Sequence, residues 1–156
     1  MLLGDRELVS ITGAGGKTSL MLALGFRLSL RHRVVLTTTT HLGEDQVPRG
    51  MNLLMGNLDE VMAELPARLD RPGCVAIARG IEEGKLVGFA PVDMDTLHES
   101  GLADVVIVEA DGSKGFPVKG YADHEPAIPS KTTCQFVVVG SELFSEALDE
   151  KTVFRL

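Results

Sequence analysis

A three-layer α/β domain with a mainly parallel sheet is the architecture that this 156-residue sequence predicts. Three observations lead to it. Apolar strand-like runs alternate with helix-like segments. The first strand–helix–strand unit is long enough for a parallel crossover. The run Val105-Val106-Ile107-Val108, framed by Asp104 and Glu109, has the composition of a central parallel strand, buried on both faces. The length favours one domain spanning residues 1–156.

Residues 8–12 form a short apolar strand that enters the turn Gly13-Ala14-Gly15-Gly16, and Lys17 opens a helix that runs to Arg31. That helix is apolar around most of its circumference, as expected of one packed between a sheet and other elements. Gly25 inside it costs about 1 kcal/mol relative to alanine and marks close packing. Residues 33–37 give the second strand, which ends in Thr37-Thr38-Thr39-Thr40-His41. Residues 52–55 read as a short strand and residues 58–69 as an amphipathic helix closed by Pro72-Gly73. Residues 74–79 and 85–89, joined by Glu82-Glu83-Gly84, look like a hairpin. Residues 93–100 read as a helix with Gly101 as its C-cap. From 110 to 133 the glycines and prolines break all periodicity, and an irregular loop of that length is usually functional. A last strand at 135–139 leads into an acidic, helix-like tail.

Composition narrows the function. A formal charge of −7 argues against wholesale binding to a nucleic-acid backbone or an anionic membrane, so any anion is bound locally. Aromatic residues make up 4% of the chain with no Trp, too few for a base-stacking platform. No segment reaches the ~18 apolar residues of a membrane span, and no export signal is visible. Cys74 and Cys134, each at the start of an apolar run, suggest a reduced cytoplasmic protein rather than a disulfide framework.

The strongest motif is Ile11-Thr12-Gly13-Ala14-Gly15-Gly16-Lys17-Thr18-Ser19. A phosphate chain needs several converging backbone N–H donors, and glycine lets the backbone curl and approach it closely. The helix N-terminus adds partial positive charge. Lys17 can reach the β and γ phosphates, and the Thr18 hydroxyl can bind Mg²⁺. The standard GxxxxGK(S/T) pattern would require glycine at Ile11, so this is a shortened loop, GxxGK(T/S). The fold class sharpens to a P-loop NTPase-like domain. Its cofactor-binding residues are Gly13, Ala14, Gly15, Gly16, Lys17, Thr18 and Ser19, and its ligand is Mg-ATP or another NTP. Ligands of open parallel sheets bind beyond the C-terminal strand ends, so the hydroxyls of Thr37 to Thr40 are expected to face this loop. Glu109 and Asp111 follow an apolar strand, where an acid can hold Mg²⁺ or position an attacking group, and with Lys17 they are the candidate catalytic residues. Residues 112–131 carry three lysines against one Asp and one Glu. Lys114 and Lys119 beside glycines suit a second anionic group, and His124 lies between two acids, so all three are candidate substrate residues. The scattered Cys and His show no zinc-ligand spacing.

Taken together, ITGAGGKTS, TTTTHLG and VVIVEADGSKGFPVKGYADHEPAIP resemble the YqeC-like family, described as accessory proteins of selenium-dependent hydroxylases. The resemblance covers most of the chain, and the third motif is far more specific than a phosphate loop. It implies nucleotide at Gly13, Gly15, Gly16, Lys17 and Thr18, and a metal role near Thr38 and Glu109 (with Thr18 from the motif). It also implies a substrate role for the DGSKG segment, and a molybdenum hydroxylase or its maturation factors as partner. It further implies a chain that is C-terminally short, ending near Val153-Phe154-Arg155 where family members carry a VHR-like element. More distantly, the short loop, the Thr-rich strand end and the strand-end Glu resemble the ATP-binding domain of Mur ligases and folylpolyglutamate synthetases, which activate a carboxylate as an acyl phosphate. Four readings stand at this point: an NTP-hydrolysing accessory protein, a non-catalytic nucleotide-responsive adaptor, a carboxylate-activating enzyme, and a small-molecule kinase, which the loop allows and the missing acceptor signature does not support.

Overall fold

The computed structural model describes residues 6–144, 149–150 and 152–155. Its main sheet contains β1 (Glu7–Gly13), β2 (Arg33–Thr38), β4 (Leu53–Met55), β5 (Gly73–Ala78), β8 (Val105–Glu109) and β10 (Cys134–Val138). Their order is β10-β1-β8-β2-β5-β4, and every neighbouring pair is parallel. The chain leaves β1 through α1 (Lys17–Leu28) to β2 and moves on to β4 and β5. It then returns to insert β8 between β1 and β2, and finally adds β10 outside β1. In this arrangement the C-terminal ends of β1, β2 and β8 lie side by side. Ile11 and Thr38 both pair with Glu109, and Gly13 pairs with Val138.

The strands are apolar at consecutive positions because both faces are covered. Val9, Val34 and Val105 turn toward α1 and pack with Met21. Their neighbours Leu8, Val35 and Val106 turn to the other face, where α2 (Leu58–Arg68) supplies Val61 and Leu65 and α3 (Pro91–Ser100) supplies Met94 and Leu97. Each such side chain contributes roughly 1.5–3 kcal/mol by leaving water. At Gly25 α1 packs tightly on β2, since a Cβ there would lie 2.8 Å from a Leu36 methyl. Asn57 starts α2 with a reciprocal cap: its side chain accepts from Glu60 N at 3.0 Å, and the Glu60 carboxylate accepts from Asn57 N at 2.8 Å.

The hairpin differs from the sequence expectation. Residues 74–78 belong to β5 and pair in parallel with β2 and β4, because Val75 to Ala78 are buried and have no polar face to leave in solvent. The hairpin is formed instead by β6 (Gly80–Glu82) and β7 (Lys85–Val87), with β3 (His41–Gly43) as third strand in the order β3-β7-β6. This small antiparallel sheet is tied to the end of β2 by Gly88 N to Thr40 O and Phe89 N to Thr38 O. Within the long irregular segment, β9 (Val118–Lys119) pairs with β11 (Val153–Phe154). A 3-10 turn at Ser141–Phe144 opens the expected acidic tail, and residues 145–148 of that tail lie outside the described residues. Among the described residues, no helix is long and apolar enough to cross a membrane.

Candidate functional site

The glycine loop has a shape that only glycine provides. Gly13, Gly15 and Gly16 have φ of +98°, +77° and +119°. A Cβ on Gly13 would lie 2.1 Å from Val138 O, and one on Gly15 would lie 2.4 Å from Gly140 Cα. The loop is therefore pressed against the chain leaving β10, an approach that the Ala14 N–H to Val138 O bond of 2.8 Å holds in place. Gly16 is the N-cap of α1, and neither a capping side chain nor an acidic residue serves the first turn. The free N–H groups and positive end of the helix dipole are open to an anion.

Three ionisable side chains meet under this loop. Lys17, 4% exposed, donates to Gly13 O at 2.8 Å and lies 3.2 Å from Asp111 Oδ1 and 3.7 Å from Glu109 Oε1. Asp111 is fully buried; its Oδ2 accepts from Gly13 N at 2.9 Å, while its Oδ1 has no hydrogen-bond partner among the described residues. Glu109 Oε2 accepts from the Thr18 hydroxyl at 2.8 Å. Behind them the charges alternate. Lys119 Nζ lies 3.7 Å from Asp111 Oδ2 and 2.9 Å from Glu125 Oε2, and Glu125 also pairs with Arg155.

A cleft of about 550 Å³ opens beside this cluster. Gly15, Gly16, Lys17, Thr18 and Ser19 border it, as do Thr40, His41 and Lys85 from the small sheet and its approach. Glu109, residues 112–115, Glu125, Phe154 and Arg155 contribute the rest of that border. The long loop thus lies over the same sheet edge as the glycine turn. Of the Thr run, only Thr40 reaches the cleft. The hydroxyls of Thr37, Thr38 and Thr39 donate to the carbonyls of Ile77, Glu109 and Ala127 and fix the strand end. Thr38 is 2% exposed and acts on Glu109 through the backbone. Lys114 lines the cleft. The Lys119 side chain is buried behind it, with Nζ also donating to Gly112 O at 2.8 Å, and His124 is exposed outside it. Sequence patterns did not single out Lys85, Glu125 or Arg155 as site residues: Lys85 lies in a segment without a motif, Glu125 was noted only as an acid beside His124, and Arg155 only as the end of the VHR-like element.

Burial pushes the Glu109 carboxyl up from the ordinary glutamate range; the Thr18 hydroxyl and the Lys17 ammonium oppose that rise, and the Asp111 charge adds to it. An acid with a raised folded-state pKa favours folding while protonated. That contribution is complete below the unfolded pKa and is lost as pH rises through the folded one. Glu109→Gln is neutral throughout, so its stability relative to wild type is expected to increase as pH rises above the ordinary glutamate range. Urea unfolding at a series of pH values reads this, and parallel profiles for the two proteins would show that Glu109 does not carry the shift.

Fold and site together define a three-layer α/β domain of P-loop-like architecture, with its glycine turn, a buried lysine and two strand-end acids at one sheet edge. The sequence model of the YqeC protein family matches residues 9–156, and the chain belongs to that family. It is 32% identical over 154 residues to the uncharacterized protein YqeC of Escherichia coli (strain K12), a match covering 94% of this chain and 57% of the relative. The chain therefore spans little more than half the length of that relative. No solved structure matches it.

Proposed function

We propose that the chain binds a magnesium–nucleoside triphosphate, ATP or another, and hydrolyses it in support of the maturation of a selenium-dependent molybdenum hydroxylase. One observation carries the nucleotide reading: a turn with three left-handed glycines opens an uncapped helix whose Lys17 and Thr18 meet the strand-end Glu109. The donor set fits the cation, because Mg²⁺ takes oxygen ligands and Thr18 and Glu109 offer a hydroxyl and a carboxylate already in contact. When bound, Mg²⁺ would neutralise phosphate charge. The residues divide the remaining work. The N–H groups of Gly15, Gly16, Lys17 and Thr18 receive phosphate oxygens, and Lys17 exchanges Gly13 O for a phosphate. Asp111, too buried to touch a ligand, orients Gly13 and Lys17. Thr38 holds the end of β2 against Glu109. The hydroxylase assignment rests on the family likeness alone.

The experiment is phosphate release from Mg-ATP, with hydrogen exchange followed in parallel. Amides from Gly112 to Gly120 are expected to gain protection when Mg-nucleotide binds, since ordering this loop has an entropic cost that ligand contacts must offset. Glu109→Gln is expected to lower Mg²⁺-dependent release more than nucleotide affinity. Affinity without release, in the presence of partner extract, would favour the adaptor; no affinity at all would end the nucleotide reading.

A further inference from the structure

The cleft borders not one cationic region but two. Lys17 serves the glycine loop, whereas the Lys114 and Arg155 side chains have no part in the nucleotide contacts assigned above. Both flank one aromatic ring: Lys114 Nζ lies 5.2 Å and the Arg155 guanidinium 4.8 Å from the Phe154 centroid, with Lys119 Nζ at 5.8 Å. Three like charges are thereby gathered around one ring. Glu125 answers Lys119 and Arg155, and among the described residues no carboxylate lies within ion-pair distance of Lys114. Lys114 and Arg155 both sit on left-handed backbone, at φ +50° and +59°, a conformation that non-glycine residues rarely adopt and that clusters at ligand clamps. The arrangement is held by neighbours, not by loop chance. Phe116 stacks 5.7 Å from Phe154, and Gly120 N donates to Phe154 O at 2.8 Å. A Cβ on Gly120 would meet Arg155 O at 2.2 Å. Counting all the charged side chains that line the cleft, four cations face three carboxylates, a positive excess in a chain of formal charge −7.

We propose that Lys114 and Arg155, carried on Phe154, form a second anion site that takes the carboxylate or phosphate group of a small acceptor molecule lying beside the nucleotide. The site deepens the nucleotide reading and rests on it only for what the acceptor lies next to. Lys119 belongs to its support: buried between Asp111 and Glu125, it shares Glu125 with Arg155, so that this one carboxylate does not offset the three cations around Phe154. A guanidinium presents a planar fork to an oxyanion, and an ammonium adds a point charge, so the pair suits a compact anionic group.

The test titrates inorganic phosphate and, separately, succinate into protein saturated with magnesium and a non-hydrolysable ATP analogue, and into nucleotide-free protein. The saturated wild type is expected to bind one of the two, which assigns phosphate or carboxylate as the ligand class. Lys114→Ala, an exposed change that leaves the fold intact, is expected to weaken that binding at least tenfold, and Lys114→Arg to restore most of it. Arg155→Ala is expected to weaken it as well, with a melting curve to confirm folding. Uptake of neither anion by the saturated wild type, or equal affinity in wild type and Lys114→Ala, would overturn the site. If no nucleotide binds, the nucleotide reading fails separately and the nucleotide-free titration decides. Anion binding lost in Lys114→Ala but kept in Lys17→Ala supports the second site, and the reverse pattern puts the anion on the glycine loop and overturns it.

Discussion

Replacing Lys17 with alanine is expected to weaken Mg-nucleotide binding by at least about 100-fold, which corresponds to roughly 2.7 kcal/mol. A hydrogen bond to a charged group contributes about 1.5–3 kcal/mol, and the Lys17 ammonium lies within the glycine loop itself, bonded to Gly13 O. Its departure also leaves Glu109 without a cationic partner among the described residues and leaves Asp111 with Lys119 alone. Some stability is therefore lost too. Lys17→Arg separates the effects: it keeps the charge beside the acids, and it is expected to fold better than the alanine variant while recovering only part of the affinity, because the longer fork does not fit the turn. Calorimetric titration of both variants, after melting curves show them folded, reads the result. Wild-type affinity in Lys17→Ala would remove the nucleotide reading.

The largest loss of stability is expected from Asp111→Ala. This carboxylate is fully buried, accepts the Gly13 N–H and lies between the ammonium groups of Lys17 and Lys119. Removing one partner of a buried ionic group costs about 3–5 kcal/mol, because the remaining charges stay out of water without compensation. In a chain of this size that lowers the melting temperature by roughly 6–20 °C. Asp111→Asn is expected to cost less, since an amide oxygen still accepts from Gly13 while only the charge is gone. Thermal and urea unfolding would establish the ranking. An alanine variant within about 1 kcal/mol of wild type would mean that Asp111 is not the link between the loop and the two lysines.

The parts of this fold that could be read from sequence are those whose cause is local. Strands buried on both faces appear as consecutive apolar residues, and the glycine loop appears as a glycine cluster between such a strand and an apolar helix. The Glu82-Glu83-Gly84 turn was also legible. Its arms were not, because the parallel partner of β5 is β2, far away in sequence, and nothing in residues 74–79 records that pairing. The same limit applies at the site. Lys17, Glu109 and Asp111 could be located because they sit beside a loop or at a strand end whose direction the fold dictates. Lys119 and His124 lie in a stretch without periodicity, which fixes no direction for a side chain, and one ends buried in a charge network while the other ends in solvent. The Thr37 to Thr39 hydroxyls were legible as polar groups, but their carbonyl partners come from β5, β8 and the long loop.

The contact between the glycine loop and the residues after β10 bears on when the loop can first take its shape. The turn at Gly13 to Gly16 is written near the start of the chain, yet its mould is the backbone at Val138 and Gly140, and the flanking contact from Leu8 to Thr133 spans 125 residues. Pairings of such long range form late, after the loop-closure entropy of the intervening chain has been met. A nascent chain that has emerged only through α1 holds every letter of the motif without its shape. The loop takes its shape only once β10 and Gly140 are in place, so that shape reports completion of the whole sheet rather than of its first unit.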